Sequence, residues 1–329
     1  MQKHTQHETA KSINHLAPVS SACFFCEHKT PSTLCAVRSD GSIVIPKEQD
    51  SFSITERFLA DRDPQDIQTY YELVNTLTLY NRLPDDAVVR VFPNLTPALV
   101  SDSAENCLVI GIANSKWHEC DIPDLPPEVV HAVIRAWQFL EAVCEERGLV
   151  LIPFWNRGSA AGASVQCPHA QAYLLSGPPA LYFQIAERRK VRQQCGVCEI
   201  LAQEDLLVWE NKTFRLMADP APERIYTLFA APKACRVSRL QEIDPHDLAE
   251  LLIKATSSWR MQFDGMMPAF NIFLRTGDVI GHLHLQLIPR DNTQPRINID
   301  AGFELASGES IITVNPHNVA QALKWHIGI

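Results

Sequence analysis

The segment 163–175, ASVQCPHAQAYLL, carries polar or reactive side chains at alternate positions, namely Cys167, His169 and Gln171. Alternate residues of a β-strand share one face, so these three side chains would point the same way. A cysteine thiolate can bind a metal, an imidazole can act as a nucleophile, and an amide can donate hydrogen bonds without titrating. The segment 282–288, HLHLQLI, repeats the alternation with leucines between its polar residues. The sequence therefore predicts two strands, each presenting a row of polar groups.

Two C-x-x-C pairs, CFFC at 23–26 and CGVC at 195–198, add further metal-binding chemistry. At this spacing two thiolates can hold one metal ion. The chain has 10 cysteines and no recognisable export signal, so a use other than disulfides is expected. A thioredoxin-type redox motif is the alternative interpretation. It is the weaker one, because neither pair sits between a clear strand and a following helix.

The composition limits the class of protein. The chain has 329 residues, of which 46% are apolar, and its formal net charge is −9. The acidic balance argues against nonspecific nucleic-acid binding, which needs a basic surface. No apolar run approaches the ~18 residues of a membrane span. The polar N-terminal segment 1–19 lacks the apolar region of a signal peptide, so we expect a flexible tail and a cytoplasmic protein.

The same pattern of residues occurs twice along the chain. Cys167 and His282 are 115 residues apart, and His118 and Cys235 are 117 residues apart. Nearly equal offsets are typical of a duplicated unit. We therefore divide the chain into the tail 1–19, an N-terminal half 20–178, a helical connector 179–194 and a C-terminal half 195–329.

Each half also contains one long amphipathic segment followed by a strand. Apolar residues recur at helical spacing in 124–148 and again in 242–263, where Asp244 can cap the helix and Pro245 suits its first turn. The strands LVLIPF (149–154) and FNIFL (270–274) follow. The predicted fold is α+β, with two similar units that each combine an antiparallel sheet with flanking helices.

The motifs RVFPNLTPAL (90–99), KWHECDI (116–122) and NRGSAAGASVQCPHAQ (156–171) resemble the galactose-1-phosphate uridylyltransferase family, a branch of the histidine triad superfamily. The family's last motif ends in H-P-H-x-Q, and here its first histidine is replaced by Cys167. The second half, with CGVCEI, APKACR, GHLHLQLIPR and the segment 301–323, is most similar to the ADP-glucose phosphorylase-like members. The resemblance covers about residues 20–329, and it implies duplicated histidine-triad-like units.

The resemblance implies nucleotidyl transfer. In the family, the histidine that matches His169 attacks the α-phosphorus of a nucleotide sugar, sugar 1-phosphate leaves, and a second phosphate acceptor takes the nucleotide. Gln171 would steady the phosphoryl group. The residues implied in substrate binding are Asn94, Asn156, Gly158, Gly162 and Ser164. Transfer of uridylyl between UDP-glucose and a hexose 1-phosphate is the leading hypothesis. An ADP-glucose phosphorylase-like adenylyltransferase and a non-catalytic, zinc-stapled nucleotide-binding protein are the alternatives.

The resemblance also implies two structural zinc ions. The first set of ligands is Cys23, Cys26, His118 and Cys167. The second, by the same logic, is Cys195, Cys198, Cys235 and His282. Each set supplies four donors and leaves no open position, which is typical of structural rather than catalytic zinc. The relatives are homodimers, so a homodimer is expected. For His284, in the second half, the sequence favours a structural or vestigial role.

Overall fold

The computed structural model describes residues 35–45, 86–94, 107–112, 117–163, 165–290 and 314–327. Within these ranges the strands form one antiparallel sheet in the order β2-β1-β3-β4-β6-β5-β10-β11-β9-β8-β7. In chain order the strands are β1 (Cys35–Arg38), β2 (Ile43–Val44), β3 (Ala87–Pro93), β4 (Cys107–Ile112), β5 (Val150–Arg157), β6 (His169–Leu175), β7 (Leu207–Glu210), β8 (Phe214–Ala218), β9 (Leu228–Pro232), β10 (Phe270–Arg275) and β11 (His284–Pro289).

The helices lie between and after these strands. In chain order they are α1 (Pro127–Arg147), α2 (Ala180–Arg192), α3 (Gly196–Leu201), α4 (Pro245–Gln262) and α5 (Pro316–Ile327). Single 3-10 turns span Ile122–Asp124, Ser159–Ala161, Glu204–Leu206 and Leu240–Glu242. Helix α2 falls within the segment predicted as the connector. No described helix is both long and apolar enough to cross a membrane.

Residues that favour helix termini mark the start of α4 and the end of α1. Pro245 is the first residue of α4, and the Asp244 side chain accepts a hydrogen bond from the His246 backbone N–H at 2.9 Å. Both features were predicted, and both follow from the unpaired N–H groups of a first helical turn. Helix α1 ends at Arg147 and is followed by Gly148, whose φ of 69° lies in the left-handed region that glycine adopts without strain.

The strand order is the same on both sides of the β5–β10 seam. Outward from this seam the strands run β5-β6-β4-β3-β1 on one side, with β2 beyond β1, and β10-β11-β9-β8-β7 on the other. At the seam Phe154 pairs with Phe273, and their outer neighbours are Gln171 and Gln286. This palindromic row marks a pseudo-twofold axis between the two phenylalanines. The predicted duplication is therefore present as a single sheet built from two like halves.

One face of the sheet is covered by the long helices. The core residues Ala170, Ala172 and Leu174 of β6 pack in a cluster that includes apolar residues of both α1 and α4. This cluster continues across both halves without a break. The domain boundaries drawn above remain a prediction, since sheet and core are continuous where they were placed.

Candidate active site and metal centre

The predicted catalytic residues lie on the sheet face opposite α1, here called the open face. Residues of β6 alternate between faces, so the buried Ala170 and Ala172 send His169 and Gln171 to the other side. Gln171 pairs with Val109 on β4 and with Phe154 on β5. From the helix side, the indole N–H of Trp137 donates to the Gln171 backbone carbonyl at 3.2 Å, which fixes this strand against α1.

His169 is held in one orientation and one tautomer. Its Nδ1 lies 2.8 Å from the backbone oxygen of Cys167. A carbonyl only accepts, so Nδ1 carries the proton and Nε2 keeps its lone pair in the neutral ring. Burial lowers the pKa of the imidazole, against the opposing effect of the Cys167 hydrogen bond. The geometry expected of a histidine nucleophile is thus present, although the side chain is only 3% exposed.

Asn156 comes opposite His169 on the open face. Trp155 pairs with Ala170, so the next residue of β5 faces the first residue of β6. The Asn156 side-chain oxygen accepts a hydrogen bond from Asn271 Nδ2 at 2.7 Å. Its own amide N–H groups have no hydrogen-bond partner within the described ranges. These donors are therefore available for an anionic group that approaches His169.

A groove of about 460 Å³ opens beside this pair. Its lining residues come from β5, β6, β10 and the turns beside them, and they are Ile152, Phe154, Asn156, Ala160, Ala161, Tyr173, Asn271, Phe273 and Arg290. The rings of Phe154 and Tyr173 stack with centroids 5.4 Å apart. His169 is not a lining residue, so a ligand in the groove meets the histidine row through Asn156. Access to Nε2 requires the groups that cover it to move aside.

The glycine loop after β5 is shaped by two left-handed residues, Gly158 at φ 79° and Gly162 at φ 81°. A Cβ on Gly158 would lie 2.9 Å from the Cβ of Ala269, so close packing adds to the conformational need for glycine. The amides of Ala161, Gly162 and Ala163 donate to carbonyls within the loop. Those three amides are therefore not directed at a phosphate. Ser164 lies outside the described residues.

Asn94 stands at the other end of β6 from His169. Its Nδ2 donates to the Cys107 sulfur at 3.2 Å, and Cys107 pairs with Tyr173. Tyr173 is four residues from His169, or about 13 Å along a strand. The structure thus places Asn94 and His169 near the same strand but not in contact.

The pseudo-equivalent histidine, His284, has the same local geometry in different surroundings. Its Nδ1 lies 2.9 Å from the backbone oxygen of His282, and burial lowers its pKa to about 4. Gln286, the counterpart of Gln171, accepts from Arg275 Nη2 at 3.2 Å and donates to Asp219 Oδ2 at 3.1 Å. Its amide is therefore occupied, whereas that of Gln171 has no side-chain partner in the described part of the chain.

The second predicted metal site is assembled in the structure. The donor atoms of Cys195, Cys198, Cys235 and His282 all lie within 4.8 Å of one another. His282 Nδ1 is 3.3 Å from the Cys195 sulfur and 3.7 Å from the Cys198 sulfur. With Zn–S bonds of about 2.3 Å and Zn–N bonds of about 2.0 Å, the sulfur–nitrogen edge of a tetrahedron is about 3.5 Å. The cluster therefore has the dimensions to hold a metal ion.

The folding of the chain around the cluster explains this geometry. Cys195 precedes α3 and Cys198 lies in its first turn, while Cys235 follows β9 by three residues. The other ring nitrogen of His282, Nε2, donates to the Pro232 carbonyl at 2.8 Å. Such a hydrogen bond fixes the ring and leaves Nδ1 as the nitrogen that faces the cysteine sulfurs.

The first predicted metal site is described only in part. Cys23 and Cys26 lie outside the described residues, and His118 and Cys167 lie within them. Cys167 is buried, and it lines a small pocket together with 120–122, the segment just after His118. The structure thus brings the segment just before β6, which carries Cys167, next to the loop that carries His118.

Ion pairs hold that loop in place. The Arg157 guanidinium pairs with Asp121 and also donates to the Met267 carbonyl at 2.8 Å. Arg260 on α4 donates to both carboxylate oxygens of Asp124, at 2.7 and 2.6 Å. The second half of the chain therefore positions the loop of the first predicted metal site.

Sequence reasoning missed Asn271 and Arg290, which approach the candidate active site from the second half. Asn271 is 5% exposed, donates to Asn156, and accepts from Arg290 Nε at 2.6 Å. One signal was available, namely a buried-strand segment, FNIFL, with an asparagine in second place. Asn271 lies next to Asn156 because β10 pairs with β5, and no local sequence pattern predicts that pairing.

No family model matches the chain. A curated protein from Thermotoga maritima, named galactose-1-phosphate uridylyltransferase, is 24% identical over 271 residues, which cover 77% of this chain and 84% of that protein. The resemblance seen in the sequence is confirmed. It is a likeness over most of both chains.

Solved structures agree on the fold. A uridylyltransferase structure matches with a TM-score of 0.63 and 22% identity, covering 73% of this chain and 86% of that one. An ADP-glucose phosphorylase from Arabidopsis thaliana, with bound ADP-glucose, matches with a TM-score of 0.61 and 20% identity over 73% and 81% of the two chains. The predicted α+β class, with an antiparallel sheet and flanking helices, is confirmed.

Proposed function

We propose that this chain is a nucleotidyltransferase that moves a nucleoside monophosphate between a nucleotide sugar and a sugar 1-phosphate or phosphate. One observation carries the proposal: His169, with its Nδ1 proton bound to the Cys167 carbonyl, shares the open face with the NH₂ groups of Gln171 and Asn156, which have no hydrogen-bond acceptor among the described residues. A fixed lone pair beside neutral hydrogen-bond donors suits attack on phosphorus. The 24% identity to a protein named galactose-1-phosphate uridylyltransferase supports the same chemistry.

In the first step, His169 Nε2 attacks the α-phosphorus of the nucleotide sugar. The P–N bond forms as the bond from that phosphorus to the bridging oxygen breaks, and sugar 1-phosphate leaves with the electron pair. The Nδ1 proton stays on its carbonyl acceptor and stabilises the positive charge of the substituted ring. Gln171 and Asn156 donate to the phosphoryl oxygens without changing protonation state.

In the second step, a phosphate oxygen of the acceptor attacks the same phosphorus. The P–N bond breaks, the ring nitrogen recovers its lone pair, and a new nucleotide sugar or nucleoside diphosphate leaves. Water must be kept out between the steps, because hydrolysis of the intermediate would waste it. The 3% exposure of His169 is consistent with that need.

We further propose that the chain binds two structural zinc ions. The second-half cluster fits the ion by donor type and by its sulfur–nitrogen distances. Cys23, Cys26, His118 and Cys167 would form the first site. Bound zinc would supply a rigid link between loop and strand, not a Lewis acid at phosphorus. Within the first site, Cys167 would anchor the segment that presents His169.

Two other functions have specific support. Adenylyl transfer is favoured by the fold likeness to an ADP-glucose phosphorylase, whose TM-score of 0.61 is close to the 0.63 of the uridylyltransferase. The covered His169 ring favours a protein that binds a nucleotide without turnover.

A screen for exchange of sugar 1-phosphate into nucleotide sugar separates these functions. UDP-glucose and ADP-glucose are each incubated with labelled glucose 1-phosphate or galactose 1-phosphate, with no further acceptor.

A double-displacement enzyme transfers the label into nucleotide sugar in this assay, because the first half-reaction is reversible by itself. The preferred nucleotide identifies the base, and the preferred sugar phosphate identifies the sugar. Exchange with neither nucleotide sugar, in protein that binds them, would support the binding function and contradict the transferase.

A further inference from the structure

The groove beside His169 contains a guanidinium with no counter-ion in the described part of the chain. Arg290, directly after β11, donates through Nε to Asn271 Oδ1 at 2.6 Å. No carboxylate of the described residues pairs with it. The groove's other lining residues are apolar, aromatic or amide groups. An uncompensated cation on a concave, mostly apolar surface is suited to an anionic ligand.

The hydrogen bonds from Arg290 also fix the orientation of two amides. A guanidinium only donates, so the Asn271 atom that faces Nε must be its oxygen. The Asn271 nitrogen then donates to Asn156 Oδ1 at 2.7 Å and to the Ala161 carbonyl at 2.8 Å. Since Asn156 accepts through its oxygen, its NH₂ group must point away from Asn271. Asn156 lines both the groove and the small pocket beside Cys167.

This arrangement exists on one side of the pseudo-twofold axis. Along the seam Asn271 takes the place that corresponds to Ile152 in the first half. An isoleucine cannot continue a polar chain. The Arg290–Asn271–Asn156 chain thus serves the His169 side of the sheet, where the Gln171 side chain also has no partner among the described residues.

We infer that Arg290 and Asn271, from the second half, complete a phosphate subsite next to His169. Arg290 binds the phosphate group of a phosphorylated sugar through its Nη1 and Nη2 groups. Asn271 is a positioning residue that keeps the Asn156 NH₂ group directed at the same phosphate. The apolar face of the sugar lies against the stacked rings of Phe154 and Tyr173. This inference deepens the proposed function and rests on it for the identity of the ligand.

Binding is measured first, by calorimetry with glucose 1-phosphate, galactose 1-phosphate and inorganic phosphate. Arg290→Gln should weaken the tightest of these about 10- to 100-fold, as expected for loss of charged hydrogen bonds. The affinity of Arg290→Lys should lie between those of wild type and Arg290→Gln, because lysine keeps the charge but lacks the planar guanidinium group. Arg188→Gln, on the exposed surface of α2, is the matched control and should bind like wild type.

The role of Asn271 is tested by Asn271→Asp, which keeps the volume and still accepts from Arg290 but cannot donate to Asn156. In the exchange assay kcat should fall about tenfold, as for loss of one aligned donor. A residue that only fills space would leave kcat unchanged. Should the aspartate variant fail to fold, Asn271→Ala is used, with the same expectation for kcat.

The outcomes separate the subsite from the overall function. Loss of phosphate binding in Arg290→Gln but not in Arg188→Gln supports the subsite, even if no nucleotidyl transfer is found; in that case only the transferase proposal fails. Equal binding by Arg290→Gln and wild type overturns the subsite. So does a wild-type protein that binds none of the three phosphates, whatever its transferase activity.

Discussion

Removal of one sulfur from the cluster of Cys195, Cys198, Cys235 and His282 should lower both the metal content and the melting temperature of the protein. Cys235→Ala is the chosen change, since Cys235 reaches the cluster from the loop after β9 while the other two thiols flank the start of α3. The measured sulfur–nitrogen distances, 3.3 and 3.7 Å, bracket the tetrahedral edge of about 3.5 Å. Little rearrangement is therefore needed to bind zinc, and most of the binding energy should appear as stability.

The size of the effect follows from mass action. A ligand at a thousand times its Kd stabilises the folded state by about 4 kcal/mol. Each kcal/mol moves the melting temperature by about 2–4 °C in a domain of 150–250 residues, so loss of that ion should lower it by roughly 8–16 °C. Cys144→Ala is the control, because Cys144 is equally a thiol, buried on α1 and outside the cluster.

Metal analysis and thermal unfolding check this prediction. Wild type should lose stability on addition of a strong chelator, and Cys235→Ala should contain one equivalent less zinc and melt lower. Cys144→Ala should keep its metal and lose only the cost of a small cavity, about 1 kcal/mol. An unchanged metal content in Cys235→Ala, or a melting temperature that a chelator does not affect in wild type, would refute the reasoning.

Three further predictions use other parts of the structure. Gln171→Ala should lower exchange about 100-fold with little change in urea stability, whereas Gln286→Ala should lower stability and leave exchange intact. Burial is the largest cause that lowers the pKa of His131, and the charge of His246 is the next. The unfolded state therefore binds the proton more tightly, so the free energy of unfolding should fall as the pH drops below about 6.5. In urea unfolding, His131→Leu should make the free energy of unfolding depend less on pH. Gly158→Ala should lower the unfolding free energy by about 1–3 kcal/mol, because its φ is 79°.

The fold was predictable where local pattern and repetition coincide. Helix α4 begins at Pro245 after an Asp244 cap, as local chemistry requires, and the alternating segment 282–288 continues as the strand β11. Duplication was visible as the 115-residue offset between Cys167 and His282. The continuous sheet was not predicted, because pairing of β5 with β10 joins residues more than 100 positions apart and leaves no local trace.

The candidate site was predictable to the extent that it lies within one strand. The alternation of Cys167, His169 and Gln171 determines which side chains share a face, so the sequence alone could assign them together. The difference between Gln171 and Gln286 could not be seen, since both follow a histidine by two residues. Only the structure shows that Asp219 and Arg275 occupy one of them. The role of Asn271 could not be predicted either, because its contacts depend on the pairing of β10 with β5.

Trapping of the covalent intermediate tests the central claim most directly. UDP-glucose and ADP-glucose, labelled in the α-phosphate, are incubated with wild type, His169→Asn and His284→Asn, and the quenched proteins are analysed for acid-labile label and its position. Label on His169 in wild type and in His284→Asn, with none in His169→Asn, is the predicted result. Label that persists in His169→Asn, or folded wild-type protein that binds the nucleotide sugar and never becomes labelled, would contradict the account.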